Sequence, residues 1–184
     1  MLTNYLIFSI AFLLFAYIVF RVKVKKDYLN RQKLSTFSSI LEVLVFGVHG
    51  NSLYLVLPTK WPYLPQMPEN ILVTNISRVM LVIGIIILFI SWFKLGTKPS
   101  MGTDKNSLQT SGLYKYSRNP QMLGYGILIS SFLVAYFSYL VLIWFFLFII
   151  AAYFMIKSEE EFLIKKYKEE YQDYCKQVPR IIKI

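Results

Sequence analysis

The chain has 184 residues, 56% of them apolar and 17% aromatic against 16% charged, with a mean hydropathy of +0.50. That balance excludes an ordinary soluble globular domain and predicts a protein that crosses a membrane several times. The formal net charge of +10 does not point to nucleic acid, because the basic residues flank apolar runs instead of gathering on a polar domain.

One cysteine, Cys175, and one histidine, His49, exclude an internal disulfide and a protein-built metal cage, so no metal is expected. No Pro/Gly/Ser-rich linker and no internal repeat divide the chain, which predicts a single integral membrane domain over 1–184.

Leu2 to Phe20 is an apolar run with no basic residue before it, and Arg21, Lys23, Lys25 and Lys26 directly after. A cleavable signal peptide carries its positive charge on the other side, so this run is expected to be a retained anchor. Arg31 and Lys33 extend the basic linker. A second run, about Thr36 to Leu57, holds Glu42, His49 and Asn51. Glu42 and His49 lie seven residues apart and so share a helix face, and ionisable groups inside a membrane invite a functional reading; Glu42 at the end of its span can equally snorkel to the surface.

Pro58 to Asn70 contains four prolines with Trp61 and Tyr63, a composition that breaks helices and suits an interfacial loop. Ile71 to about Leu95 is the third run, completing three N-terminal spans within 1–95. The remainder, 96–184, reads as a loop, a helical hairpin and a terminal helix. The loop, Gly96 to Asn119, carries Lys98, Lys105, Lys115 and Arg118. From Pro120 to Ile156 the apolar stretch is too long for one crossing of about 20 residues, and Ser138-Tyr139 near its middle predicts a tight turn between two spans. Glu159 to Lys176 alternates charge with Phe162, Leu163, Tyr167, Tyr171 and Tyr174 at spacings of three and four, which predicts an amphipathic helix on the membrane surface or against the site. The expected fold is therefore all-α, a bundle of about five transmembrane helices with a C-terminal amphipathic helix.

With the N-terminus outside and five spans, 18 of the 20 basic residues fall on the inner side, leaving Lys60 and Arg78 outside. The positive-inside bias then places the C-terminus and both polar blocks described below on the cytoplasmic face of the cell inner membrane, or of the endoplasmic reticulum in a eukaryote.

Most of the chemistry sits in Gly112-Leu113-Tyr114-Lys115-Tyr116-Ser117-Arg118-Asn119-Pro120-Gln121-Met122-Leu123-Gly124-Tyr125. Gly112 permits the backbone angles of a tight loop. Arg118 offers a planar fork of donors for carboxylate or phosphate, and Pro120 suits the first turn of a helix. Gly124 and Gly126 leave room for a neighbouring helix or a ligand. A second block, Glu159-Glu160-Glu161-Phe162-Leu163, continues through Tyr167, Tyr171 and Tyr174 to Val178-Pro179-Arg180.

Together, over roughly Ser91 to Arg180, these blocks resemble the isoprenylcysteine carboxyl methyltransferase and phospholipid N-methyltransferase family. Its loop runs Gly-x-Tyr-x-x-x-Arg-(His or Asn)-Pro-x-Tyr-x-Gly, and its terminal block Glu-Glu-x-x-Leu-x-x-x-(Phe or Tyr)-Gly-x-x-Tyr-x-x-Tyr followed by Val-x-Arg. The resemblance implies S-adenosylmethionine as methyl donor, with S-adenosylhomocysteine as product, held between loop, hairpin and Glu-Glu helix. The acceptor would be a lipid or lipidated molecule arriving from the bilayer, with membrane lipids as the surroundings and no obligate protein partner.

On that basis the catalytic candidates are Arg118 and Glu160, and the cofactor-binding candidates are Gly112, Tyr114, Arg118, Asn119, Pro120, Gly124, Glu159 and Glu160. The glutamates, at a helix start, would take the donor's ammonium or ribose and favour its sulfonium. Arg118 would pair with the donor's carboxylate or an acceptor phosphate, and Tyr114, Tyr116 and Tyr125 would supply walls and cation–π contacts. An amine acceptor must lose a proton, with Glu159 or Glu160 the nearest bases; a carboxylate acceptor needs none.

Departures from the pattern bear on the acceptor. Asn119 and Asn106 stand where prenylcysteine enzymes carry His, Met122 stands for Tyr, Lys168 replaces Gly, and no Gly-x-Gly element is evident around Gly84 or Gly96. A phospholipid headgroup amine is thus expected ahead of an isoprenylcysteine carboxylate, with a sterol-reductase-like NADPH enzyme as a different-class alternative.

Overall fold

The computed structural model describes residues 2–57, 59–63, 65–95 and 108–182, without the side chains of Lys94 and Leu95. Lys98, Lys105 and Asn106 of the expected inner loop lie outside the described residues.

Every regular element among the described residues is helical. Helix α1 (Leu2–Tyr17), a π-helical segment (Ile18–Val24) and α2 (Lys25–Arg31) run end to end and stop at Gln32, whose φ of 58° is a left-handed helix end. Helix α3 (Thr36–Ser52) starts at Ser35, whose hydroxyl accepts the Ser38 N–H at 3.2 Å while Asp27 accepts the Ser35 N–H at 2.8 Å. Helix α4 (Ile71–Leu95) follows the proline-rich loop, then a 3₁₀ turn (Gly112–Lys115), α5 (Pro120–Ala135) and α6 (Tyr139–Gln177).

Among the described residues three helices are long and apolar enough to cross a membrane: Leu2–Arg31, Ile71–Phe93 and Tyr139–Gln177. The other two expected spans form helices of 17 and 16 residues, α3 and α5, short of the roughly 20 residues a perpendicular crossing needs. The hairpin falls where its sequence put it, with α5 ending at Ala135 and the Ser138 hydroxyl accepting the Val141 N–H to open α6. Beside that turn, the Tyr136 hydroxyl donates to the Pro65 carbonyl at 3.0 Å, so the proline-rich loop sits at this end of the bundle.

The C-terminal amphipathic helix is not a separate surface element. It continues the last apolar helix as one rod through the glutamates, which lie in the middle of the 39-residue element instead of at a helix start. No Gly or Pro interrupts 139–177, so a change from apolar to charged side chains alters the surroundings of the rod and not its backbone. The interruption comes later, at Lys168, with φ 47° and ψ −119° inside the helix. That is a conformation suited to glycine, and the family pattern carries Gly at this position.

Two of the three apolar clusters among the described residues hold the bundle, the third being Tyr171, Tyr174 and Val178 at its C-terminal end. One joins Phe12, Ala16, Val19 and Phe20 to Val45 of α3 and to Leu147, Ala151 and Phe162 of α6. The other joins Tyr5, Leu53 and Ile129 to Val141, Trp144 and Phe148. Helix α4 packs almost wholly on α5. Their crossing is at backbone contact: a Cβ on Gly84 would lie 2.5 Å from the Leu128 nitrogen, and one on Gly124 2.7 Å from the Leu88 nitrogen.

Candidate functional site

The site grows from the loop before α5. Gly112 takes φ 66° at the start of the 3₁₀ turn, and the Tyr114 carbonyl that the turn presents accepts the Tyr174 hydroxyl at 2.6 Å. Tyr114 itself is buried, and burial, then the nearby charge of Glu159, push its hydroxyl pKa well up. The Arg118 N–H donates to the Pro179 carbonyl at 3.0 Å, and the Asn119 side-chain amide donates to the Arg180 carbonyl at 2.9 Å. Pro120 then sets the first turn of α5. The loop and the chain's C-terminal segment are thus laced together through backbone groups before any charge meets another.

On α6 the three consecutive glutamates project about 100° apart, and they serve different neighbours. Glu161 faces the N-terminal helix: it takes Arg21 at 2.9 Å and Lys25 at 2.8 Å, while Arg21 also donates to the Ser158 hydroxyl at 2.9 Å. Ser158 in turn donates to the Phe20 carbonyl at 2.8 Å, within the π-helical segment. Glu159 is half-buried on the Tyr114 side.

Glu160 faces inward between two guanidiniums. Its Oε1 lies 2.9 Å from Arg118 Nη1 and 3.1 Å from Arg180 Nε, and its Oε2 lies 2.6 Å from Arg180 Nη2. The Glu160 and Arg118 side chains are 11% and 13% exposed, whereas that of Arg180 is 51% exposed. Arg118 is further gripped by Cys175 Sγ and by the Tyr171 hydroxyl at 3.4 Å. Its Nε is buried without a partner.

The structure therefore brings together Gly112, Tyr114, Arg118, Asn119, Pro120, Glu159 and Glu160. Gly124 belongs to the α4–α5 crossing, where helix backbone fills the space a ligand would need. Tyr125 turns its hydroxyl to His49, 3.2 Å away on α3, and Tyr116 is 71% exposed; neither joins the Glu160 cluster. His49 is locked into the core, its Nε2 2.9 Å from the Trp144 carbonyl and its ring stacked on Trp144 at 4.7 Å. It is a packing residue far along α3 from the basic end.

Two residues were missed at the sequence level. Arg180 stood at the end of the second block without a role, and Cys175 gave no sign that it lies against Arg118. Only the Val-x-Arg ending of the family pattern marked the first, and nothing marked the second.

Beside this cluster an apolar groove of about 380 Å³ runs between α5 and α6, with Met122, Ile127, Phe148 and Tyr153 on its walls and Arg180 and Ile181 at one end. A buried carboxylate and two guanidiniums thus stand beside a lipid-compatible groove on a bundle whose described elements are all helical. The phospholipid methyltransferase family model matches residues 73–170, more than half of the chain, and the chain belongs to that family: it is a membrane methyltransferase. No curated protein and no solved structure matches it. The matched region contains Arg118 and all three glutamates and stops before Arg180.

Proposed function

We propose that the protein transfers a methyl group from S-adenosylmethionine to the amine of a phospholipid headgroup at the cytoplasmic leaflet. The observation that carries this is the meeting of Arg118 and Glu160, from the two blocks far apart in sequence, at 2.9 Å with both side chains mostly buried. The residues suit the donor. Its amino-acid head and sulfonium need a carboxylate, and Glu160 is the buried one; its carboxylate needs a donor fork, and Arg118 keeps a buried, unpartnered Nε.

When bound, the donor supplies an electrophilic methyl carbon, whose bond to sulfur breaks as the acceptor's lone pair bonds to it. The chain's part is positioning, which accounts for much of the rate of such a displacement. In this reading Glu160 and Arg118 orient the donor and Tyr171 closes the site beside Arg118. Glu159 and Glu160 are the carboxylates nearest to take the amine's proton. Five crossings with the N-terminus outside, α3 and α5 being the two shorter ones, put this end of the bundle at the inner leaflet.

Purified protein should bind S-adenosylhomocysteine saturably, and Arg118→Ala or Glu160→Ala should abolish that binding in a protein that remains monodisperse. A lipid extract incubated with labelled donor should gain label in amine-headed phospholipids. Label in prenylcysteine methyl ester instead would overturn the acceptor, and a preference for NADPH with no binding of S-adenosylhomocysteine would overturn the reaction.

A further inference from the structure

The Glu160 carboxylate contacts two guanidiniums at once. A cationic donor entering beside Glu160 would bring a third cation. In a poorly solvated site that excess is costly, so the cation with the fewest other contacts and the best access to water leaves. Arg118 is held by its backbone bond to Pro179, by Tyr171 and by Cys175. The Arg180 side chain, half exposed, bonds to Glu160. Its backbone is fixed independently, through the Asn119 amide on its own carbonyl. The guanidinium can therefore swing while its Cα stays in place, and it already borders the end of the apolar groove between α5 and α6.

We propose that Arg180 is a placeholder for the donor on Glu160, and that once displaced it becomes the anchor for the acceptor's phosphate, with the acceptor's acyl chain in the α5–α6 groove. This rests on the methyl-donor reading above. The chemistry of the groove agrees with it. Arg180's planar fork matches a phosphodiester oxygen pair, and the remainder of the lining is almost entirely apolar, with a volume inside the roughly 300–1,000 Å³ common for ligand sites. A soluble phosphoamine would present the same anion without the tail, so anion recognition and tail recognition are separable.

The test uses full-length wild type, Arg180→Ala and Arg180→Lys in detergent and in vesicles. S-adenosylhomocysteine affinity should be unchanged or tighter in Arg180→Ala, because a competitor for Glu160 is gone; this also shows that the variant is folded. KM for an amine-headed phospholipid should rise about 10-fold or more with kcat changed far less, and Arg180→Lys should recover part of the loss. Inorganic phosphate should inhibit the wild type and not Arg180→Ala. A water-soluble glycerophosphoamine should be a poor substrate for the wild type that Arg180→Ala worsens further, whereas a long-chain amine without phosphate should be methylated equally by both. Loss of S-adenosylhomocysteine binding in Arg180→Ala but not in Arg180→Lys would make Arg180 part of the donor site and overturn the proposal. An unchanged KM in Arg180→Ala would overturn it too, leaving the methyl-donor reading intact. A wild type that binds no S-adenosylhomocysteine removes both.

Discussion

Glu160 carries a single negative charge between Arg118 and Arg180, and each substitution in this group has its own signature. Glu160→Gln leaves two facing cations without their counter-charge. Removing one partner of a buried pair costs about 3–5 kcal/mol, and the half-exposed Arg180 places this case at the lower end; thermal unfolding in detergent should show it as a clear drop in midpoint. Arg118→Lys keeps the charge and loses the fork, so S-adenosylhomocysteine affinity should fall about 10-fold by calorimetry while the unfolding midpoint moves little. Lys168 offers the opposite sign. A lysine at φ 47° inside a helix stores about 1–3 kcal/mol, so Lys168→Gly should raise the unfolding midpoint, an outcome that a relaxed backbone at this position would not produce. Sequence alone located this residue as a departure from a pattern, while the reason for the pattern, a backbone that turns the wrong way for a side chain, became visible only in the dihedral angles.

At the scale of elements, two contacts decide how the bundle closes. The α4–α5 crossing depends on Gly84 and Gly124, where any side chain meets main chain and not a yielding side-chain tip. Gly84→Leu should separate the two helices and destabilise the protein by at least the roughly 1–3 kcal/mol typical of overpacking. Gly47→Ala, with nothing within 4 Å of the added carbon, should be neutral or stabilising. The N-terminal helix is tied to α6 through Arg21 and Glu161. Exchanging the two charges should restore only part of the stability that Arg21→Glu alone removes, because the arginine at 161 would face Lys25; a double-mutant cycle measures the pairwise coupling.

Helix starts and stops here were legible because they rest on local chemistry: Ser138 as a cap, Pro120 at a first turn, prolines between Pro58 and Asn70. The merging of the last span with the glutamate helix was not, since hydropathy reports a change of solvent and is silent about whether the backbone continues through it. Gly124 was ambiguous for a related reason. A glycine marks close approach, and only the packing of α4 says by what.

For the whole molecule, the described contacts fall at two opposite ends of the bundle. Arg21, Arg118, Glu160 and Arg180 meet at one end of the bundle, and the Pro65 carbonyl meets Tyr136 at the hairpin turn. In a Cys175→Ser background, Lys60→Cys and Lys115→Cys should therefore react with a membrane-impermeant thiol reagent from opposite sides of sealed vesicles; labelling from the same side would rule out the proposed crossings. The meeting of the two blocks was readable from sequence because the family pattern gives them a fixed order. The charge balance there was not, because Arg180 enters through the folding back of the C-terminal segment.

The last helix links the site to its surroundings in a further way. From Tyr139 to the kink at Lys168 it forms a rod of roughly 43 Å, longer than a hydrocarbon layer is thick, and Glu160 rides on it without an intervening joint. The depth at which the carboxylate sits is thus set by how far the same rod is sunk or tilted in lipid. Vesicles of shorter or longer acyl chains should change turnover with no change in the protein's chemistry, making the bilayer's own thickness a dial on the reaction.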